Sequence, residues 1–448
     1  MSWLVNLLAF LVVIGILVTV HEFGHFWVAR RCGVGVQRFS IGFGRVLWRR
    51  YGRDGVEYAI SALPLGGYVK MLDEREEAVP ADQLSRAFNR KPLWQRNAVI
   101  IAGPAFNFAF AVLVFWALFL MGDTVLRPVL GDIASDTPAA EAGFQPGDEI
   151  RAVAGREVAG WSDVMRQVLS QGAGNEALPV TVATATGERV TRELNMAAIG
   201  PIGEQDNVMQ ALGWQPKRPP LPPVIQEVRS GDPAAAAGLR SGDRLVSVAG
   251  SAIEDWQGLV DAIEAHRGES MRLIVERGSD AIEIEVTVPE EGPIGVIPQR
   301  PEPGVLDAYQ RELTYGVVGA FVRGAEETWN RATFMVTITG KMITGDASTR
   351  AISGPVGIAE YAGTSASLGL VPFLTLLATI SISLGIINLF PIPILDGGQL
   401  LFNACEWVMG RPLSESAQAM GTQVGLALIV MLMTLAFYND LLRVLGAE

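Results

Sequence analysis

Histidine and cysteine are scarce in this chain: 448 residues contain three histidines and two cysteines. Cys32 and Cys405 lie far apart and neither belongs to a CxxC pair, which argues against a disulfide framework. Charge is sparse as well. Only 18% of residues are charged against 49% hydrophobic, and the mean hydropathy is positive. That balance does not suit a wholly soluble chain and points to a membrane protein with a soluble portion. An excess of basic charge is missing too. The net charge is −12, which argues against nucleic acid as a partner, because phosphate binding needs clustered lysine and arginine.

Long apolar runs are plentiful. Four are long enough to cross a bilayer, at about 3–29, 97–121, 368–390 and 421–439. The first lacks the basic start and small-residue exit of a cleaved signal peptide, so it is expected to be retained. Arginine and lysine accumulate between positions 30 and 96. By the positive-inside rule that loop is cytoplasmic, which puts both termini and the large middle region on the outer side.

The expected fold is a multi-pass α-helical membrane protein with four transmembrane helices, a small membrane-associated β-hairpin or sheet, and two inserted extracytoplasmic α+β domains. The β region occupies 38–72, where short apolar runs alternate with glycine. Its edge is suited to pairing with an extended peptide; a hairpin that only plugs the membrane domain is the alternative. Gly103-Pro104 is read as opening the second span, and Asn107 as a hydrogen-bonding residue between helices.

From Pro128 onward the chain repeats itself. Residues 128–161 align without a gap on 223–256, pairing Pro138-Ala139-Ala140 with Pro233-Ala234-Ala235, Gly147-Asp148 with Gly242-Asp243, and Trp161 with Trp256. Each unit reads as strand, short helix, Gly-Asp turn, strand, and a helix after the tryptophan. The Ala-Gly-x-x-x-Gly-Asp run resembles bacterial PDZ domains, whose grooves accept peptide C-termini or strands. The units are placed at 128–215 and 222–300, with 216–223 as a proline-rich linker and Leu212-Gly213-Trp214 and Ile294-Gly295-Val296 as candidate carboxylate-binding loops. The flanking parts are 1–127 and 356–448 for the two halves of the membrane domain and 301–355 for an amphipathic membrane-surface region, with one helix expected over about 307–344, resting on the outer membrane surface or against the spans.

Ionisable groups inside a span mark function by default, and the first span holds His21-Glu22-Phe23-Gly24-His25. Two histidines four apart project from one helix face and suit two ligands of a tetrahedral zinc, with the glutamate close enough to act on a metal-bound water. The remaining histidine, His266, sits at the end of a helix in the second repeat and reads as a surface residue. A third ligand is then a carboxylate or cysteine. Asp396 follows Pro391 and Pro393 at the end of the third span, and span counting brings it to the same membrane face as His21 and His25. Helix capping is the competing role for that aspartate.

HExxH joined to Asn388-x-x-Pro391-x-Pro393-x-Leu395-Asp396-Gly397, with PDZ-like units between, resembles the site-2 protease family of intramembrane metalloproteases. The resemblance covers the whole chain, including Gly67-Tyr68-Val69 and Gly103-Pro104-x-x-Asn107. It implies one zinc held by His21, His25 and Asp396, a catalytic Glu22, and substrate contacts at Asn388, Gly67, Tyr68 and Val69. It further implies a bacterial inner-membrane location with the PDZ-like units periplasmic and the site towards the cytoplasm. Expected substrates are single-span membrane proteins already cut outside, such as an anti-sigma factor, and remnant signal peptides. Many relatives carry histidine after Leu-Asp-Gly-Gly where this chain has Gln399, a change that leaves the metal set intact. Two rivals remain at this stage. An inactive PDZ-bearing adaptor gives no reason for His, Glu, His and Asp together, and a transporter would be expected to carry an inverted repeat.

Overall fold

A computed structural model describes residues 2–172, 177–197, 208–229, 231–301, 303–344 and 353–445. Parts of the first repeat and the stretch at 345–352 therefore lie outside the described residues. The chain forms two compact units, one of residues 1–122 with 314–448, the other of residues 123–313.

In the first unit, α1 (Ser2–Arg31) is followed by β1 (Val36–Tyr51), β2 (Glu57–Met71) and α2 (Leu93–Leu120). The two long strands fold back on themselves. Residues 36–41 pair with 67–71 on one side and with 57–60 on the other, while 46–51 pair with 57–61. The result is four adjacent strand segments with 67–71 and 46–51 at the edges. Gly42, at φ +92°, makes the reversal possible, since a Cβ there would lie 2.8 Å from the Leu63 carbonyl oxygen.

The second unit opens with β3 (Asp123–Leu126). The first repeat comprises β4 (Leu130–Ile133), α3 (Pro138–Glu141), β5 (Glu149–Val153), β6 (Arg156–Glu157), α4 (Trp161–Gly172), β7 (Ala177–Ala183), β8 (Arg189–Asn195), α5 (Val208–Leu212) and β9 (Trp214–Pro216). The second runs β10 (Ile225–Val228), α6 (Pro233–Ala236), β11 (Arg244–Val248), β12 (Ser251–Ala252), α7 (Trp256–Ala265), β13 (Ser270–Arg277), β14 (Asp280–Thr287) and β15 (Val296–Pro298). Both build a four-stranded sheet of the same order, β6-β5-β7-β8 and β12-β11-β13-β14, plus a two-stranded pair, β4-β9 and β10-β15. Even the backbone exceptions repeat. Ala154 and Ala249 both sit at φ +49° at the equivalent turn.

The Gly-Asp turns are pinned by guanidinium groups. Arg277 donates two hydrogen bonds to Asp243, at 2.7 and 2.8 Å. Burial pushes this carboxyl up, yet Arg277 and the Arg240 amide outweigh burial and hold it below the ordinary carboxylate range. A depressed carboxylate pKa gives stability that is present above the ordinary value of about 4 and lost as pH falls through the lower, folded value. Hydrogen exchange in the second repeat should therefore accelerate below about pH 4. Asp243→Asn should exchange faster than wild type at neutral pH, and the difference should shrink on acidification. A pH-independent difference would remove Asp243 as the cause.

After α8 (Pro303–Asp307), β16 (Gln310–Leu313) pairs antiparallel with β3. The expected single helix over 307–344 is thus corrected: the end of α8 and the strand β16 occupy its first part, and the long helix is α9 (Val317–Thr344). Within the first unit α9 packs along α2. Gly324 permits the approach, since a Cβ there would lie 2.9 Å from the Trp116 amide nitrogen. Arg331 stacks 5.1 Å from the Phe115 ring centre and donates to Thr379 at 3.0 Å. The unit ends with α10 (Pro355–Leu368), α11 (Leu370–Leu389), α12 (Asp396–Met409) and α13 (Glu415–Leu445). The buried Asp440 carboxylate accepts the Gly354, Val356 and Gly357 amides at the start of α10.

Among the described residues four helices are long and apolar enough to cross a membrane: Trp3–Arg31, Leu93–Leu120, Leu370–Leu389 and Ser416–Leu442. These match the four expected spans, with two corrections. Gly103-Pro104 does not open the second span; α2 begins at Leu93, after Pro92, and Pro104 lies in its interior. Asp396 is not on the third span but at the first position of the separate helix α12.

Candidate metal centre

The HExxH residues are helical within α1, and the four-residue spacing puts both imidazoles on one face, their Nε2 atoms 3.2 Å apart. Each ring is oriented through its other nitrogen. His25 Nδ1 donates to the Val99 carbonyl at 2.8 Å. His21 Nδ1 lies 3.0 Å from the Asn107 amide. The Asn107 amide oxygen has no other partner, and a half turn of the amide presents that oxygen to an Nδ1–H. Both histidines then keep the Nε2 lone pair free and turned to a common point, as ligating histidines do.

Asp396 reaches that point because the chain breaks twice. Pro391 and Pro393 cannot continue α11, and residues 390–395 turn back over the start of α12. Gly397 and Gly398 make the turn possible: Cβ atoms there would lie 2.3 Å from the Leu389 oxygen and 2.2 Å from the Ile392 oxygen. The Asp396 side chain makes no helix cap, since Leu395 is the N-cap and has no side-chain bond. Instead its Oδ2 lies 3.2 Å from His21 Nε2 and 3.5 Å from His25 Nε2.

Three ligand atoms thus stand 3.2–3.5 Å apart in a nearly equilateral triangle. A tetrahedral zinc with bonds of about 2.0–2.1 Å needs ligand–ligand edges of about 3.3–3.4 Å. Asp396 Oδ2 is buried and has no hydrogen-bond donor, as suits a ligand atom. The residues fit one zinc with its fourth position left for water or substrate.

Glu22 follows on the same helix, and β2 crosses beside it. A Cβ on Gly67 would lie 2.8 Å from Val18 Cγ1 and 3.0 Å from Glu22 Cγ, so only glycine lets the strand come this close. Residues 67–69 pair with 39–41 along one side; among the described residues their other side has no strand partner. A cavity of about 770 Å³ is lined by all eight residues singled out from the sequence: His21, Glu22, His25, Gly67, Tyr68, Val69, Asn388 and Asp396. Gln399 lines it too, as do Arg96 and Glu406, which form an ion pair at 2.6 Å. His266 stands apart from this set, ending α7 in the other unit with its Nδ1 donating to Ala262.

Three residues of α1 and α2 support this site, and the sequence gives no site role to any of them. Asn107 bonds a neighbouring helix as expected, and its partner there is the site itself: the side chain meets His21 on α1 at 3.0 Å, while the backbone oxygen accepts from Ser381 at 2.9 Å. Gly103 and Gly24 let α1 and α2 touch at the histidines, since Cβ atoms there would lie 2.3 Å from His25 Nε2 and 2.3 Å from the Ala102 oxygen. The available signal was the four-residue spacing of Gly103 and Asn107, which places both on one face of α2.

A model of the family described as Peptidase family M50 matches residues 9–432. The chain is 43% identical over 452 residues to the regulator of sigma-E protease RseP of Escherichia coli (strain K12), covering 99% of this chain and 100% of the relative. It is 44% identical over 456 residues to protease RseP of Yersinia pestis, with 99% and 100% covered. Identity to the regulator of sigma E protease of Haemophilus influenzae is 40% over 449 residues, again with 99% and 100% covered.

Proposed function

The chain belongs to peptidase family M50, and from that premise we propose that His21, His25 and Asp396 hold one zinc, that Glu22 is its general base and acid, and that Asn388 with Gly67, Tyr68 and Val69 positions the substrate. The activity is that of an intramembrane zinc metalloprotease. The observation that carries the residue roles is the triangle of three ligand atoms beside Glu22. An inactive adaptor would have no use for that convergence.

When bound, zinc supplies Lewis acidity, drawing electron density from the scissile carbonyl and acidifying water. Glu22 then takes a proton from the attacking water on its carboxylate and returns it to the leaving amide nitrogen. Val99 and Asn107 hold the two imidazoles in the ligating tautomer. A helical substrate hides its scissile carbonyl in the helix hydrogen-bond ladder. The unpaired side of residues 67–69 offers backbone partners to an unwound strand, and this is how the substrate is presented.

The same reading extends to the rest of the chain. The basic stretch between 30 and 96 faces the cytoplasm, and both termini and residues 123–313 lie on the periplasmic side of the inner membrane. Residues 128–215 and 222–300 are PDZ-like domains that accept peptide C-termini or strands and screen substrates. Their closing loops support this. Gly213 and Gly295 have φ +81° and +87°, and a Cβ would strike Thr137 and Asp232 respectively. The substrates are single-span membrane proteins already cut on the outer side, an anti-sigma factor among them; relatives named as regulators of sigma-E fit that last member.

Co-expression with a tagged single-span substrate, joined to zinc analysis of the purified protein, tests the metal set. Asp396→Asn should lower zinc affinity on the order of 100-fold or more, since a ligand matters at least as much as its supports. Cleavage should be lost with it. Full zinc content in that variant would show that the aspartate is no ligand.

A further inference from the structure

The strand edge away from the metal centre has a different chemistry. Residues 46–51 pair only with 57–61 among the described residues, and the exposed side carries Leu47, Trp48 and Tyr51 among Arg45, Arg49, Arg50 and Arg53. Trp48 is 52% exposed and Leu47 67%, values that a water-facing edge would avoid. The carboxylates within this hairpin are already engaged, Asp54 by Arg30 at 2.5 Å and Glu57 by Arg38 at 2.9 Å. Four arginines are therefore left in nine positions without a carboxylate partner among the described residues.

Beside them lies a groove of about 510 Å³ lined by Phe39, Ile41, Trp48 and Tyr58, with Arg50 and Arg53 among its walls. The first span ends at Arg31, five positions before β1 begins, which puts the hairpin next to the membrane–water boundary. Apolar groove, interfacial aromatics and unpaired arginines beside a span are together the chemistry of an anionic phospholipid site. We propose that this edge binds an anionic phospholipid of the adjoining leaflet, its phosphate between Arg50 and Arg53 and an acyl chain along the groove. The site tethers the hairpin whose opposite edge lines the catalytic cavity. A peptide strand is the less suitable occupant, because a run of arginines on an edge opposes strand addition. The proposal does not depend on the metal assignment.

Native mass spectrometry of the full-length protein in detergent micelles, titrated with phosphatidylglycerol or with phosphatidylcholine of the same acyl chains, tests this. Phosphatidylglycerol should bind more tightly, and added salt should weaken it. Arg50→Gln with Arg53→Gln should weaken phosphatidylglycerol on the order of fivefold per arginine removed. Arg50→Lys with Arg53→Lys should retain most of the binding. Equal affinity for the two lipids, or wild-type phosphatidylglycerol binding by the glutamine pair, overturns the proposal. So does a photo-cross-linker at Leu47 that captures substrate peptide instead of lipid.

Discussion

Glu22→Gln is expected to slow cleavage of a single-span substrate by about 10²–10⁴-fold, the usual worth of a positioned general base, with zinc content unchanged. The two halves of that result separate the roles in the site. The converging atoms belong to His21, His25 and Asp396, so an amide at position 22 leaves all three in place. Glutamine keeps the length and most of the hydrogen bonding of glutamate but cannot accept the proton. Glu22 lines the same cavity as Asn388 and residues 67–69, where a strand-like substrate would lie. Measured beside Asp396→Asn, which should lose metal and activity together, Glu22→Gln should lose activity alone. Undiminished cleavage by Glu22→Gln would mean that another group removes the proton. Loss of zinc would mean that Glu22 acts on the metal rather than on water.

The proposed catalytic set stands out in the sequence because it is costly where it stands. His21, Glu22, His25 and Asp396 interrupt segments that otherwise carry no charge, and few structural reasons explain ionisable groups there. The repeat was legible for a different reason: an unbroken alignment from Pro128 to Trp161 fixes equivalent turns, and the two sheets follow with the same strand order. What was not legible depends on partners far along the chain. The charges of α9 leave open whether it rests on the membrane surface or against the spans; the rings of Phe119 and Phe115 on α2, which receive the Arg323 and Arg331 guanidinium groups at 5.8 and 5.1 Å, decide for the spans. No local window contains those rings. Strand β16 was hidden in the same way, since its pairing runs to β3 across the whole second unit. Pro104 invited a helix start by the usual rule; α2 instead carries it in its interior.

Gly103→Ala should be as damaging as loss of a ligand, although glycine takes no part in the chemistry. A Cβ at this position would lie 2.3 Å from His25 Nε2, 2.6 Å from His25 Cε1 and 2.8 Å from His21 Cε1. Real contacts need about 3.4 Å or more, so the His25 ring has to retreat by about 1 Å from the point shared with Asp396. A misplacement of that size is worth on the order of 100-fold in rate, and zinc affinity should fall with it. His25 cannot retreat cheaply, because its Nδ1 is bound to Val99 at 2.8 Å, one turn earlier on the helix that carries the new methyl. Two glycines of the facing helix α1 supply the controls. Gly15→Ala meets nothing within 4 Å and should be silent. Gly24→Ala meets the Ala102 carbonyl oxygen at 2.3 Å; backbone cannot rotate away, so α1 and α2 must separate and folding yield should drop. Gly103→Ala should instead fold and insert normally, because its methyl meets side chains, and fail in metal content and cleavage. Wild-type zinc binding by Gly103→Ala would mean that the imidazoles are not held where the triangle requires them.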